Sequence, residues 1–228
     1  MNISDDPAAC VAYPVTVIDN FFDDPDAIVE TANNLKYFNP QGGHWPGTRT
    51  KNLHIDEPRL HMYFTQKLNY IFFEDNPDYW NTQAHFQLIN PIDPENQYSK
   101  KNRGWIHIDD NSWYGGIVYL NKDPEPDTGT SVYKPKYGFM HQYEEEIQMK
   151  MKLYRNESIS EKEYEEAFDA VAEQYVETVT IENVYNRLVV FNNKTHHGVK
   201  TFGTKPRLTL NFFGIDYSGK RPPIVRAR

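Results

Sequence analysis

His107 and Asp109 stand one residue apart in the run GWIHIDD, residues 104–110. Their neighbours Trp105, Ile106 and Ile108 are apolar residues of the strand-forming kind. Side chains alternate faces along a strand, so the imidazole and the carboxylate project to one side, roughly 7 Å apart. Two such groups can converge on one metal ion. A facial site needs a third ligand, and either His196 or His197 offers one. Both lie in RLVVFNNKTHHGVKTFGTKPRLTLNFF, residues 187–213, which reads as strand, tight turn, histidine pair, strand. Arg207 follows ten residues after His197. A guanidinium in the same cavity could grip a carboxylate through two parallel hydrogen bonds.

The elements that must position these groups can be read around them. VTVIDNFF (15–22) forms a first strand and its exit. Asp24 and Pro25 start a helix, as N-cap and first helical residue, with an apolar face of Ile28, Val29, Ala32 and Leu35. Residues 39–54 hold three glycines and two prolines and read as loop. A second helix spans about 57–73, with Leu60, Phe64, Leu68 and Ile71 near helical spacing. Strands are then expected at 81–90, 104–109, 114–120, 130–134, 178–184, 186–191 and 206–214. Many short strands between turns suggest an antiparallel sandwich or barrel. Residues 139–176 break the pattern as a charged, helical insertion. Ser160 and Glu163 fit a capping box, and Tyr164, Phe168, Val171 and Tyr175 form its apolar stripe. Glu144 to Glu146 read as a wet helix face. The whole chain, 1–228, reads as one domain carrying that insertion.

Two histidines and one carboxylate with open coordination positions are the ligand set of non-haem iron(II) oxygenases. His-x-Asp, a distal His-x-Val and an arginine ten residues later resemble the Fe(II)/2-oxoglutarate-dependent dioxygenase superfamily. Between the ligands, HIDDNSWYGGIVYLNKDPEPDTGTSVYKP (107–135) orders a strand ending Tyr-Leu-Asn, a polar turn, and Gly-Thr opening the next strand. That order is similar to the prolyl-hydroxylase-like branch. The resemblance spans roughly 80–215 and implies a double-stranded β-helix, or jelly roll: mainly β, with N-terminal helices and a helical insertion.

It also implies roles. His107, Asp109 and His197 would hold Fe(II); His197 matches His-x-Val, which leaves His196 beside the centre or at its mouth. Arg207 would pair with the distal carboxylate of 2-oxoglutarate, with Tyr119 and Thr209 as further cosubstrate contacts. O₂ would take the last position, and the reaction would release succinate and CO₂ while hydroxylating an unactivated C–H bond. The implied substrate is peptidyl or a small molecule. Asp110 reads as a cap or turn residue. His44, Trp45, Arg49 and Lys51 in the loop 42–52 are candidates for a substrate-facing wall. Trp105 reads as core, and His54, His61, His85 and His141 lack partner spacing. A non-catalytic β-helix binding protein and a cupin-like metal enzyme without 2-oxoglutarate are the competing readings.

Composition limits the rest. The chain has 228 residues, 39% of them hydrophobic, enough for a packed core. Its formal net charge of −8 speaks against nucleic acid as a partner. The basic run Lys100–Lys101–Arg103 and the tail from Lys220 to Arg228 read as solvated surface. Cys10 is the single cysteine, so no intrachain disulfide forms. The N-terminus lacks the pattern of a signal peptide, and no stretch approaches the ~20 apolar residues of a membrane span. A cytoplasmic location is expected.

Overall fold

Antiparallel strands and helices share the architecture in the computed structural model, which describes residues 15–40, 45–72, 79–109, 112–136, 144–155 and 157–218. In chain order they form β1 (Val15–Ile18), α1 (Pro25–Asn34), β2 (Thr48–Arg49), α2 (Leu53–Asp56) and α3 (Pro58–Phe72). There follow β3 (Tyr79–Ile89), β4 (Tyr114–Tyr119), β5 (Thr130–Pro135), α4 (Glu144–Tyr154) and α5 (Glu161–Ala172). The chain closes with β6 (Tyr175–Ile181), β7 (Leu188–Asn192), β8 (His196–Gly198) and β9 (Arg207–Ser218). All pairings are antiparallel, in a six-stranded sheet ordered β1-β7-β4-β9-β3-β2 and a three-stranded sheet ordered β6-β5-β8.

The helices start where the sequence says they should. The Asp24 side chain accepts from the Ala27 N–H at 3.1 Å, and Pro25 needs no donor at the first turn. α1 and α3 press Ile28, Ala32, Phe64 and Leu68 onto one face of the large sheet, against Ala84, Phe86, Val118, Leu210 and Phe212. The opposite face of that sheet meets the small sheet through Tyr119, Val132, Ile181, Val189 and Phe191. Two antiparallel sheets face to face, with helices outside the larger, make the expected jelly roll or double-stranded β-helix.

Several boundaries differ from the sequence reading. The 39–54 loop contains β2, whose Thr48 and Arg49 pair with Leu88 and Gln87, and α2, capped by the Asn52 side chain. Residues 104–109 do not form a full strand. They bridge β8 only at His107 and His197, because the Asp109 N–H turns away to the Asn193 carbonyl. The insertion is two helices, and its part before residue 144 lies outside the described residues. Ser160 accepts from the Glu163 N–H at 3.4 Å. Tyr164, Phe168 and Val171 are buried on α5, while Tyr175 already belongs to β6 yet joins the same cluster. Glu146 is 9% exposed, so the wet-face reading fails there. Lys100 and Lys101 are not simply solvated either. They pair with Asp169 (2.6 Å) and Glu161 (2.7 Å) of α5, tying the insertion to the body. Cys10 and the tail from Lys220 lie outside the described residues. No helix among those described is long and apolar enough to cross a membrane.

Candidate metal centre

Asn102 sets the approach to the ligand segment. It is fully buried. Its Oδ1 accepts from the N–H groups of Ile92 (2.9 Å) and Asp93 (3.0 Å), and its Nδ2 donates to the carbonyls of Asp93 (2.6 Å) and Asn96 (3.0 Å). Trp105 then anchors the segment to the insertion. Its Nε1 donates to Tyr164 Oη at 2.9 Å, and its ring meets Phe168 edge-on at 5.5 Å.

His107 and His197 exchange both backbone hydrogen bonds, at 3.0 and 2.9 Å, which sets their rings 4.4 Å apart. Each ring turns Nδ1 to the carbonyl two residues earlier: His107 to Trp105 (2.8 Å) and His197 to Thr195 (2.9 Å). A carbonyl can only accept, so Nδ1 donates in both rings, which leaves Nε2 as the atom free to ligate. Both Nε2 atoms face Asp109. His107 Nε2 lies 3.8 Å from Oδ1, and His197 Nε2 lies 3.7 Å from Oδ2. The three ligand atoms fall within 4.8 Å of one another, too far for hydrogen bonds and close enough to hold one ion. His196 points the other way, with its ring 5.1 Å from that of Tyr175. Gly115 leaves room for the carboxylate, since a Cβ there would stand 2.6 Å from Asp109 Oδ2.

The electrostatics favour a metal over a proton. Burial first, then His197 and the positive charges of Lys150 and Arg49, hold His107 well below the ordinary imidazole value. The bond to the Trp105 carbonyl only partly opposes this. A neutral imidazole is what ligation requires. The His107 side chain keeps 39% of its accessible surface, but that surface faces the cavity.

Arg207 lies in the same cavity, on β9, and is 3% exposed. Its Nε donates to the Thr128 carbonyl at 2.9 Å, and its guanidinium lies 5.5 Å over the Tyr119 ring. Its Nη2 is buried with no partner. An unpaired donor on a buried cation is costly unless a ligand completes it. A carboxylate matches that unpaired donor in chemistry and sign.

Tyr119 and Thr209 share the sheet face with Arg207 but are fully buried beneath the cavity lining. The Tyr119 hydroxyl donates to Thr130 Oγ1 at 2.7 Å, and Thr209 Oγ1 donates to Asn211 Oδ1 at 2.7 Å. Thr130 and Asn211 are the residues that reach the cavity. Thr209 begins a chain that continues from Asn211 Nδ2 to Gln87 Oε1, which in turn accepts from Arg49 Nε (3.2 Å) and Nη2 (3.1 Å). Gln87 Nε2 completes it on the Pro46 carbonyl at 2.6 Å. The floor of the site thereby fixes the loop at its rim.

From that loop, Trp45 and Arg49 line the cavity, with the guanidinium 4.5 Å from the Trp45 ring, while Lys51 is exposed. Trp105 is core, 2% exposed, and also forms part of the cavity wall. His61 and His85 serve backbone carbonyls of Thr82 (2.7 Å) and Thr50 (3.1 Å). His54 lies edge-on to His61. His44, Asp110 and His141 lie outside the described residues. The sequence reading missed Lys150 and Tyr154, which α4 brings into the cavity. In EEEIQMKMKLY they look like any charged helix, and no local signal separates Lys150 from Lys152.

A prolyl hydroxylase from Trichoplax adhaerens, in complex with a hypoxia inducible factor oxygen degradation domain peptide, is 12% identical to this chain. The match covers 90% of this chain and 84% of that one, at a TM-score of 0.55. HygX from Streptomyces hygroscopicus, with nickel and 2-oxoglutarate bound, is also 12% identical over 92% and 86%, with a TM-score of 0.55. The nogalamycin epimerase SnoN is 10% identical over 95% and 85%, at 0.53. At these identities the likeness is one of fold: the chain has the double-stranded β-helix of 2-oxoglutarate oxygenases. No curated protein matches it. A family profile matches residues 4–213, and by that match the chain belongs to the family described as "Family of unknown function (DUF6445)".

Proposed function

We propose that this chain is an Fe(II)- and 2-oxoglutarate-dependent oxygenase that hydroxylates an unactivated C–H bond of a peptidyl or small-molecule substrate. One observation carries the reading. A His-Asp-His cluster with both Nε2 atoms turned inward shares a cavity with a buried arginine that has an unpaired nitrogen. Bound together, iron and 2-oxoglutarate would supply oxidative decarboxylation to succinate and CO₂ and the oxidant for the C–H bond.

The chain's own residues do the rest. His107, Asp109 and His197 would occupy one face of the ion and leave the other open. The Nδ1 bonds to Trp105 and Thr195 hold both rings in orientation. Arg207 would take the distal carboxylate of 2-oxoglutarate, with Tyr119 stacked behind it and Thr130 at its side. Thr209 would act through Asn211 and Gln87 on the cavity floor. Trp45, Ile89, Phe191 and Phe213 give the cavity apolar walls that exclude water. Among the fold's neighbours, the Trichoplax enzyme binds a peptide, and HygX is also known with hygromycin B bound. Both substrate classes therefore suit the scaffold. The unpaired Arg207 nitrogen favours this reading over a cupin-like enzyme, which needs no such cation.

The experiment is succinate release from 2-oxoglutarate with Fe(II) and ascorbate, for wild type, His107→Ala and Asp109→Ala. Wild type should release succinate slowly even without substrate, and both variants should release none. Release that persists unchanged in both variants would overturn the assignment.

A further inference from the structure

Lys150 is 8% exposed, yet among the described residues it has no hydrogen-bond or ion-pair partner. It projects from α4 into the cavity that holds His107 and Asp109. Glu146, one helical turn earlier, lines a different groove with Lys152 and Glu163. Burial pulls Lys150 down to about 8, with only the charge of Asp109 resisting. Arg49 lines the same cavity from β2. It bonds to the neutral Gln87 and is flanked by Trp45 (4.5 Å) and Phe213 (5.7 Å). Asp109 is the carboxylate whose charge both cations feel.

That carboxylate is committed if the proposed metal binds, and the inference rests on that reading. The two charges of Fe(II) and the one of Arg207 balance Asp109 and a dianionic cosubstrate. Lys150 and Arg49 are then left over on the cavity wall, with Lys150 only 8% exposed. Buried charges persist when they are paired. Arg207 sits on β9 beside Thr128 and Tyr119 and, on that reading, takes the cosubstrate's distal carboxylate, so it does not pair with the anion argued for here.

We propose that the substrate carries a carboxylate, held between Lys150 and Arg49 at the metal-facing end of the cavity. The flat faces of Trp45, Phe213 and Tyr154 would take the apolar part next to it. The loop and the insertion would thereby select small organic acids, such as amino acids acylated on nitrogen, over their neutral amides.

The test uses the visible charge-transfer band that Fe(II) and a 2-oxo acid give without oxygen. The band is recorded first with 2-oxoglutarate alone. If it does not form, the oxygenase reading itself fails. If it forms, N-acetyl amino acids and their primary amides are titrated into the complex, and the shift of the band reports occupancy beside the metal. Carboxylate probes should bind about ten-fold more tightly than their amides. Lys150→Met should bring that ratio close to one, and Lys150→Arg should restore most of it. Equal binding of acids and amides, no band shift by any acid, or a ratio that survives Lys150→Met would overturn the proposal while leaving the oxygenase reading intact.

Discussion

The cavity has two positive ends, built in different ways. Arg207 stands on β9, a central strand of the large sheet paired on both sides, and its place is set by strand alternation. Lys150 and Arg49 come from an inserted helix and a two-residue edge strand. The Arg207 end depends on the sheet, which the core clusters on both faces hold rigid. The other end depends on Trp105 against Tyr164, and on the Gln87 bonds beneath Arg49. A fold can thus keep its cosubstrate end constant while loops and insertions vary the substrate end.

The sharpest way to separate the two ends is Arg207→Ala. It should weaken 2-oxoglutarate binding by about 100-fold, since a buried charge-assisted pair is lost, and change metal affinity much less. Calorimetry with Ni(II) in place of iron reads both. An equal loss of metal affinity would mean the ends are not independent.

Between the ends, Gly115→Ala pushes a methyl against Asp109 Oδ2. Metal affinity should fall by about 10–100-fold, the usual range when a ligand's support is disturbed. Competition with a chelating dye would measure it, and unchanged affinity would show that the carboxylate has another position to adopt.

Tyr164→Phe removes the oxygen that accepts from Trp105 Nε1 and leaves a buried donor unsatisfied. The expected cost is about 1–3 kcal/mol in urea unfolding. Substrate-end binding should suffer more than 2-oxoglutarate binding, because the insertion loosens first. The reverse order would contradict the division drawn here.

The remaining effect is a slope with pH. Lys150 is held at about 8 when folded, from an ordinary value of 10.5. Between those values the unfolded chain binds more protons than the folded one. Stability of the metal-free protein should therefore fall as pH drops from about 10.5 to about 8, and level off below that for this group. Subtracting the curve of Lys150→Met isolates the contribution; a flat difference would show that Lys150 is not desolvated.

The same division explains what was legible in the sequence. His107, Asp109, His197 and Arg207 sit on strands or beside them, where a period of two and short spacings translate directly into a shared face. Thr209 was set on Arg207's face by strand alternation and Tyr119 was named from the family resemblance, but neither says where a hydroxyl points, and theirs turn to Asn211 and Thr130. Trp45 and Arg49 stood out because a long loop so rich in cations and rings is unusual. Lys150 could not be found. Its burial arises only when α4 folds back over a segment some forty residues earlier, and nothing in its own helix records that contact. The strand expected at 104–109 failed for a similar reason: its partner β8 is three residues long, so propensity outran the available pairing.

The central claim is that three side chains and one guanidinium enclose a single metal and its cosubstrate. A crystal structure grown without oxygen, with Ni(II) and 2-oxoglutarate, tests it most directly. The account predicts a metal about 2 Å from Nε2 of His107, Nε2 of His197 and a carboxylate oxygen of Asp109, with the distal carboxylate of 2-oxoglutarate on Arg207 Nη2. A metal bound elsewhere, or a cosubstrate that leaves Arg207 unpaired, would contradict it.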